Sequence, residues 1–240
     1  MISRRPFLRS ISCGCCAAVA AWWRRTAGAA EPPKPVLQLP NAVAGIRIPD
    51  SRLARDAAQR AYDESPLFLF NHCMRSFAFA SVLARGSGWN WDAEVVLVAS
   101  ALHDLGLLPE HHDALKTFEA AGADLARGFA VAHGMAEPKA DWVHDGIALH
   151  TTSGGKSPVH EVAMISMGTG LDVLGSARWC DKLPAAARTE IRAAFPRLSF
   201  SREFRQTLED YKNRHPGDAG EGNWIASLPP TPFENRCLDG

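Results

Sequence analysis

The sequence predicts an all-α protein, and three observations carry that prediction. Apolar residues recur at helical spacing in one segment after another, each bounded by a capping residue, a proline or a glycine. No segment shows clear period-2 alternation of β-branched residues between turn signals. There are no internal repeats and no sustained heptads, so the helices are expected to pack around one core. A chain of 240 residues, 46% of them hydrophobic, is long enough for a single domain with a full-sized core.

The first 29 residues are expected to stand apart from that domain. Ser3-Arg4-Arg5-Pro6-Phe7-Leu8 has the form of a twin-arginine export signal, followed by an apolar stretch from Ile11 to Trp23 and a small-residue cleavage site at Ala27-Gly28-Ala29. The stretch is shorter than the roughly 20 apolar residues of a membrane span. The mature protein is therefore expected outside the cytoplasm, periplasmic or extracellular, with no stable membrane association once the signal is removed. That route carries folded proteins, which suits an enzyme loaded with its metal beforehand.

Residues 30–49 are proline-rich and read as an extended leader, and residues 50–214 as the helical domain. Asp50 or Ser51 caps a helix to about Asp63. Pro66 starts a second, Leu67 to Arg85, stopped by Gly86. Asp92 begins a third that runs to His103 and stops before Gly106. A loop from Leu105 to Asp113 follows. Further helices are expected over Thr117 to His133, Lys139 to His150, Pro158 to Val173 (weakened by Gly168 and Gly170), Pro184 to Phe195 and Ser199 to Asn213. Residues 215–240, rich in glycine and proline, read as an irregular tail. The expected mature part holds Cys73, Cys180 and Cys237; an odd count permits one pair but no disulfide framework.

With 26 basic and 26 acidic side chains the formal net charge is +0, so no general attraction for nucleic acid or anionic membrane is expected. The expected partner is a small-molecule substrate. Chemistry concentrates instead in a few polar residues set in apolar helices. His72 lies among Phe68, Phe77 and Phe79. His103-Asp104 ends the third helix, and Asp172 is flanked by Leu171, Val173 and Leu174. Any one of these alone is an ordinary cap or a hydrogen-bonded polar residue. Buried aspartate, however, demands a partner, and four such residues in apolar surroundings point to a shared cation. Two imidazoles and two carboxylates suit one divalent transition metal, zinc first, with iron, manganese or nickel also compatible.

Asn71-His72-Cys73-Met74-Arg75, Leu102-His103-Asp104-Leu105-Gly106, Phe118-Glu119, Trp142 with Leu149-His150-Thr151, and Gly170-Leu171-Asp172-Val173-Leu174-Gly175 follow one another over residues 65–175. This ordered set resembles the HD superfamily of metal-dependent hydrolases, and within it the cyanamide hydratase-like branch. The resemblance implies an HD-type helical domain with a metal site between core helices, and His72, His103, Asp104 and Asp172 as ligands. His150, Asp104 and Glu119 become the candidate catalytic groups. Arg75 and Thr151 become candidate substrate or supporting contacts, with Arg75 clamping an anion or pairing with Asp104 or Asp172. It implies addition of water to a small nitrogenous substrate, the namesake reaction turning cyanamide into urea. A phosphohydrolase or phosphodiesterase acting on a nucleotide, and a non-catalytic metal-binding helical domain, remain alternatives. His111 and His112 are two exposed imidazoles, or else part of a second metal site. Lys156, in a glycine loop, is solvated or lines a pocket mouth, and Trp89, Trp91 and Trp142 are expected to pack near the helices of the site.

Overall fold

The computed structural model describes residues 34–111, 113–152, 154–175, 177–216, 235, 237 and 238. The export signal expected in residues 1–29 and the expectation on His112 lie outside the described residues. The chain divides into a unit of residues 1–36 and one of residues 37–240, and every element below belongs to the second.

Helices dominate, as the spacing of apolar residues predicts. In order they are α1 (Arg52–Glu64), α2 (Leu67–Gly86), α3 (Ala93–Leu102), α4 (Phe118–Ala132), α5 (Glu137–Ala148), α6 (His160–Leu174), α7 (Ala177–Cys180), α8 (Ala185–Ala194) and α9 (Phe200–Arg214). Three start at the side-chain caps read from the sequence. Ser51 Oγ accepts from Ala54 N, Asp92 Oδ1 from Glu94 N and Val95 N, and Thr117 Oγ1 from Ala120 N.

The centre of the fold is α2, buried continuously from Leu69 to Ala84. It is long and apolar enough to cross a membrane by length and composition, yet its apolar surface is spent on protein: a helix apolar all round belongs in a core. Beside it, α3 is buried from Val95 to Leu102. The glycine that weakens the prediction of α6 explains how that helix closes on α2. A Cβ at Gly168 would lie 2.2 Å from the Ser76 carbonyl oxygen, so the two backbones meet where no side chain fits. Gly168→Ala is therefore expected to destabilise the protein by about 1–3 kcal/mol in denaturant unfolding, although alanine is the better helix former. A variant as stable as the parent would show that α6 can shift freely.

The structure departs from the sequence reading in several places. Part of the leader turns back as a hairpin, β1 (Ala42–Val43) antiparallel to β2 (Ile46–Arg47), burying Val43, Ile46 and Ile48. Two-residue strands are too short for alternation to register. Gly106 does not stop α3, which ends at Leu102; it lies in a 3-10 turn over Leu105–Leu107. A Cβ there would meet the Phe118 carbonyl oxygen at 2.0 Å, so this glycine admits the start of α4. The short helix α7 carried no periodic signal. Nor is the end of the tail unattached: Cys237 forms a disulfide with Cys180, Leu238 is fully buried, and Asn235 Nδ2 donates to the carbonyls of Leu171 and Asp172 at the end of α6. Cys73 is buried and unpaired to sulfur.

Candidate metal centre

Three core elements deliver the polar residues to one place. His72 projects from the middle of α2, His103 and Asp104 follow the last residue of α3, and His150 follows the end of α5. All four are buried.

The partner of each Nδ1 decides what each imidazole presents. His72 Nδ1 lies 2.7 Å from Asp172 Oδ2, His103 Nδ1 2.7 Å from the Ser100 carbonyl, and His150 Nδ1 2.6 Å from the Ile147 carbonyl. These oxygens only accept, so each Nδ1 carries a proton, and in the neutral ring each Nε2 keeps a lone pair. The Nε2 atoms of His72 and His103 face each other at 3.2 Å, with Asp104 Oδ2 at 3.5 Å from the first and 3.2 Å from the second. Asp104 Oδ2 is buried and receives no hydrogen bond.

Two ring nitrogens and an orphaned carboxylate oxygen, all on buried residues, converge at distances that call for a positive charge between them, a proton or a metal ion. The donor atoms of His72, His103 and Asp104 lie within 4.8 Å of one another, and nitrogen and oxygen donors in that number fit a divalent metal.

The electrostatics agree. Burial alone would raise the Asp104 carboxyl, but the neighbouring imidazoles, His103 foremost, hold it down at about 2. Burial alone would lower His103, yet Asp104 and Cys73 more than offset it and raise it well above its ordinary value. The cluster therefore favours a cation, and a metal entering it competes with a proton. His150 is lowered to about 4, by burial first and then by His103, so it is neutral at physiological pH with an open Nε2, 3.9 Å from Asp104 Oδ1.

Of the four ligands read from the sequence, the structure brings the donor atoms of three together. Asp172 is not among the converging donors but behind His72. Its Oδ1 accepts from Arg75 Nε at 2.7 Å and Arg197 Nη1 at 3.2 Å; its Oδ2 accepts from Arg75 Nη2 and His72 Nδ1, both at 2.7 Å. The roughly four lone-pair sites of a carboxylate are thereby used. In this structure Asp172 orients the His72 ring, as outer partners of metal ligands do.

Of the alternatives for Arg75, the structure realises the pairing with Asp172. Arg197, which no motif marks, completes that ion cluster and also donates to the Asp172 carbonyl at 2.8 Å. Phe200, likewise unmarked, stacks on the His72 ring at 4.7 Å between centroids, with the Arg75 and Arg197 guanidiniums over its own ring. Glu119 stands behind Thr151, whose Oγ1 donates to Glu119 Oε1 at 2.6 Å. His111 pairs at 2.8 Å with Glu64, away from the cluster, and Lys156 is exposed. Trp89, Trp91 and Trp142 pack partly buried against the core without lining the site.

A cavity of about 230 Å³ opens onto the cluster. His72, His103, Asp104 and His150 form its polar end, Phe118, Val173, Leu174 and Phe204 its apolar walls, and Thr151 and Thr169 add hydroxyls. No lysine or arginine is among its described lining residues.

The family model of the HD domain matches residues 69–179, which spans all of these groups except Arg197, Phe200 and Phe204. Cyanamide hydratase DDI2 and cyanamide hydratase DDI3 of Saccharomyces cerevisiae are each 28% identical to the chain over 187 residues, covering 76% of this chain and 82% of each relative. The chain contains an HD domain and over most of its length is similar to cyanamide hydratases. HD domains bind a divalent metal, and in this HD domain the site for it is His72, His103 and Asp104. Family and site together make the protein a metal-dependent enzyme of the HD hydrolase or hydratase kind.

Proposed function

We propose that the protein adds water to a small, uncharged nitrogenous substrate, cyanamide or a nitrile, with zinc the preferred metal. The observation that carries this reading is the lining of the cavity. A phosphate ester calls for cationic side chains around the reacting group. Here the two arginines nearest the cluster are spent on Asp172, and the walls are apolar. A merely structural metal would need no cavity beside it.

His72, His103 and Asp104 would hold a divalent ion, which would supply Lewis acidity and lower the pKa of water toward neutral pH. His150 presents a neutral Nε2 toward the same place, where it accepts a proton from water and returns one to the substrate nitrogen. The Thr151 hydroxyl donates its hydrogen bond to Glu119, so its oxygen is left to accept from a substrate N–H. Phe118 and Phe204 keep bulk water from the reacting atoms.

Action on a small molecule outside the cytoplasm, free of membrane and nucleic acid, belongs to the same proposal. It is supported by the Arg4-Arg5 signal and by the Cys180–Cys237 disulfide, a bond that persists in oxidising compartments.

The test is urea formation from cyanamide by the metal-loaded protein, with His150→Ala as its probe. The variant is expected to keep its metal and its melting temperature while turnover falls by about 10²–10⁴-fold. Loss of metal in the variant would make His150 a ligand; undiminished turnover would make it an ordinary helix-end histidine.

A further inference from the structure

We infer that the preferred substrate carries an apolar substituent on its carbon–nitrogen triple bond: an alkyl or aryl nitrile, or a cyanamide substituted on its amino nitrogen. The inference rests on the hydratase reading and extends it from the reacting group to the rest of the molecule.

Size is the first argument. Cyanamide has only three heavy atoms, whereas the cavity measures about 230 Å³, several times the roughly 30 Å³ a water occupies in the liquid. The parent compound would leave most of that space wet, against walls that gain nothing from water.

The second argument is polarity along the cavity. The groups able to act on a triple bond sit at one end. The rest of the lining is apolar: Val173 and Leu174 on the last turn of α6, with Leu174 61% exposed, and Phe204 on α9, whose ring lies 5.5 Å from that of His72. The Thr169 hydroxyl donates to the Ile165 carbonyl of its own helix at 2.9 Å, so it has no hydrogen left to donate to a polar tail.

Gly170 supplies the third. It lies inside α6 and lines the cavity, yet unlike Gly168 it faces open space: a Cβ built there meets nothing within 4 Å. Helix packing does not require a glycine at this position, and a glycine inside a helix costs stability relative to alanine. What its missing side chain provides is room.

The reaction balances without a further co-reactant. Water adds across the triple bond, its oxygen forming the bond to carbon. Both of its hydrogens end on the nitrogen, giving the amide or the substituted urea, and nothing is oxidised or reduced.

The experiment compares kcat/KM of the metal-loaded full chain for cyanamide, butylcyanamide and benzonitrile. A substituted substrate is expected to exceed cyanamide by at least about tenfold, the effect of burying two or more methylene-sized groups. Gly170→Leu is expected to raise the melting temperature, or leave it unchanged, while reducing that preference at least about tenfold through KM. Leu174→Lys, at an exposed position, provides a second variant should Gly170→Leu fold poorly, and is expected to erode the preference in the same direction.

Hydration of cyanamide as fast as or faster than either substituted compound would overturn this inference and leave the hydratase reading standing. Turnover of none of the three would remove both. A preference for the substituted compounds that survives whichever variants fold would also overturn it, because the cavity would then not be its source.

Discussion

Asp104→Ala is expected to leave the protein folded but essentially without metal, the largest effect of any single substitution at the centre. Asp104 Oδ2 is the one anionic donor of the cluster, buried, without a hydrogen bond, and within 3.5 Å of two Nε2 lone pairs. Removing it leaves two neutral imidazoles to hold a dication in an apolar interior. Partners that merely orient a ligand cost about 10–100-fold in affinity when lost, and a direct donor costs more. Elemental analysis after dialysis reads the outcome, and full retention would sink the assignment.

Asp172→Asn supplies the contrast that tests the three-residue ligand set. Its side-chain oxygen can still accept from His72 Nδ1, so it should keep the metal with affinity reduced by no more than about 10–100-fold. Metal loss as complete as in Asp104→Ala would return Asp172 to the coordination sphere.

Arg75→Met is expected to be the most destabilising change, about 3–5 kcal/mol, the usual cost of removing one partner of a buried ion pair. Arg75 and Asp172 are both fully buried, and the guanidinium also donates to the carbonyls of Phe195 and Pro196 at 3.1 Å each. For a domain of this size the loss lowers the melting temperature by roughly 10 °C. Arg75→Met/Asp172→Asn should recover part of it by removing the stranded charge. A loss below about 1 kcal/mol in the single variant would show that Arg197 and His72 suffice to hold Asp172.

Acid unfolding gives the same prediction an independent readout. Burial alone would raise the Asp172 carboxyl, but Arg75 first, and then His72, depress it far below its ordinary value of 3.8. A depressed carboxyl contributes stability that is complete above its unfolded value and lost as pH falls through its folded one. In the parent that loss belongs to strong acid only. In Arg75→Met the folded value moves up, so unfolding begins at a higher pH than in the parent.

Much of this was legible in the chain. Helical class follows from apolar spacing, since a period near 3.6 leaves one packing face per segment, and Ser51, Asp92 and Thr117 mark helix starts because their side chains satisfy amides at the following turn. His72, His103, Asp104 and Asp172 stood out because polar side chains in apolar helices must find partners, and the family resemblance added His150. Capping and burial are local or compositional, so one sequence carries them.

The direction of each ring and carboxylate was not legible. The family resemblance implies that His72 and Asp172 lie near each other but does not say which ring nitrogen the carboxylate meets; packing of α6 on α2 through Gly168 and Ser76 decides that. Arg197 and Phe200 belong to the site only because the chain returns after α8, and neither lies in a motif. Gly168 and Gly170 read alike as helix weakeners; one meets a backbone and the other a cavity. The sequence by itself determined which residues are costly to bury, because that cost is a property of the residue. Only the tertiary structure decided which atom repays it, because a hydrogen bond or a coordination site depends on where two distant segments cross.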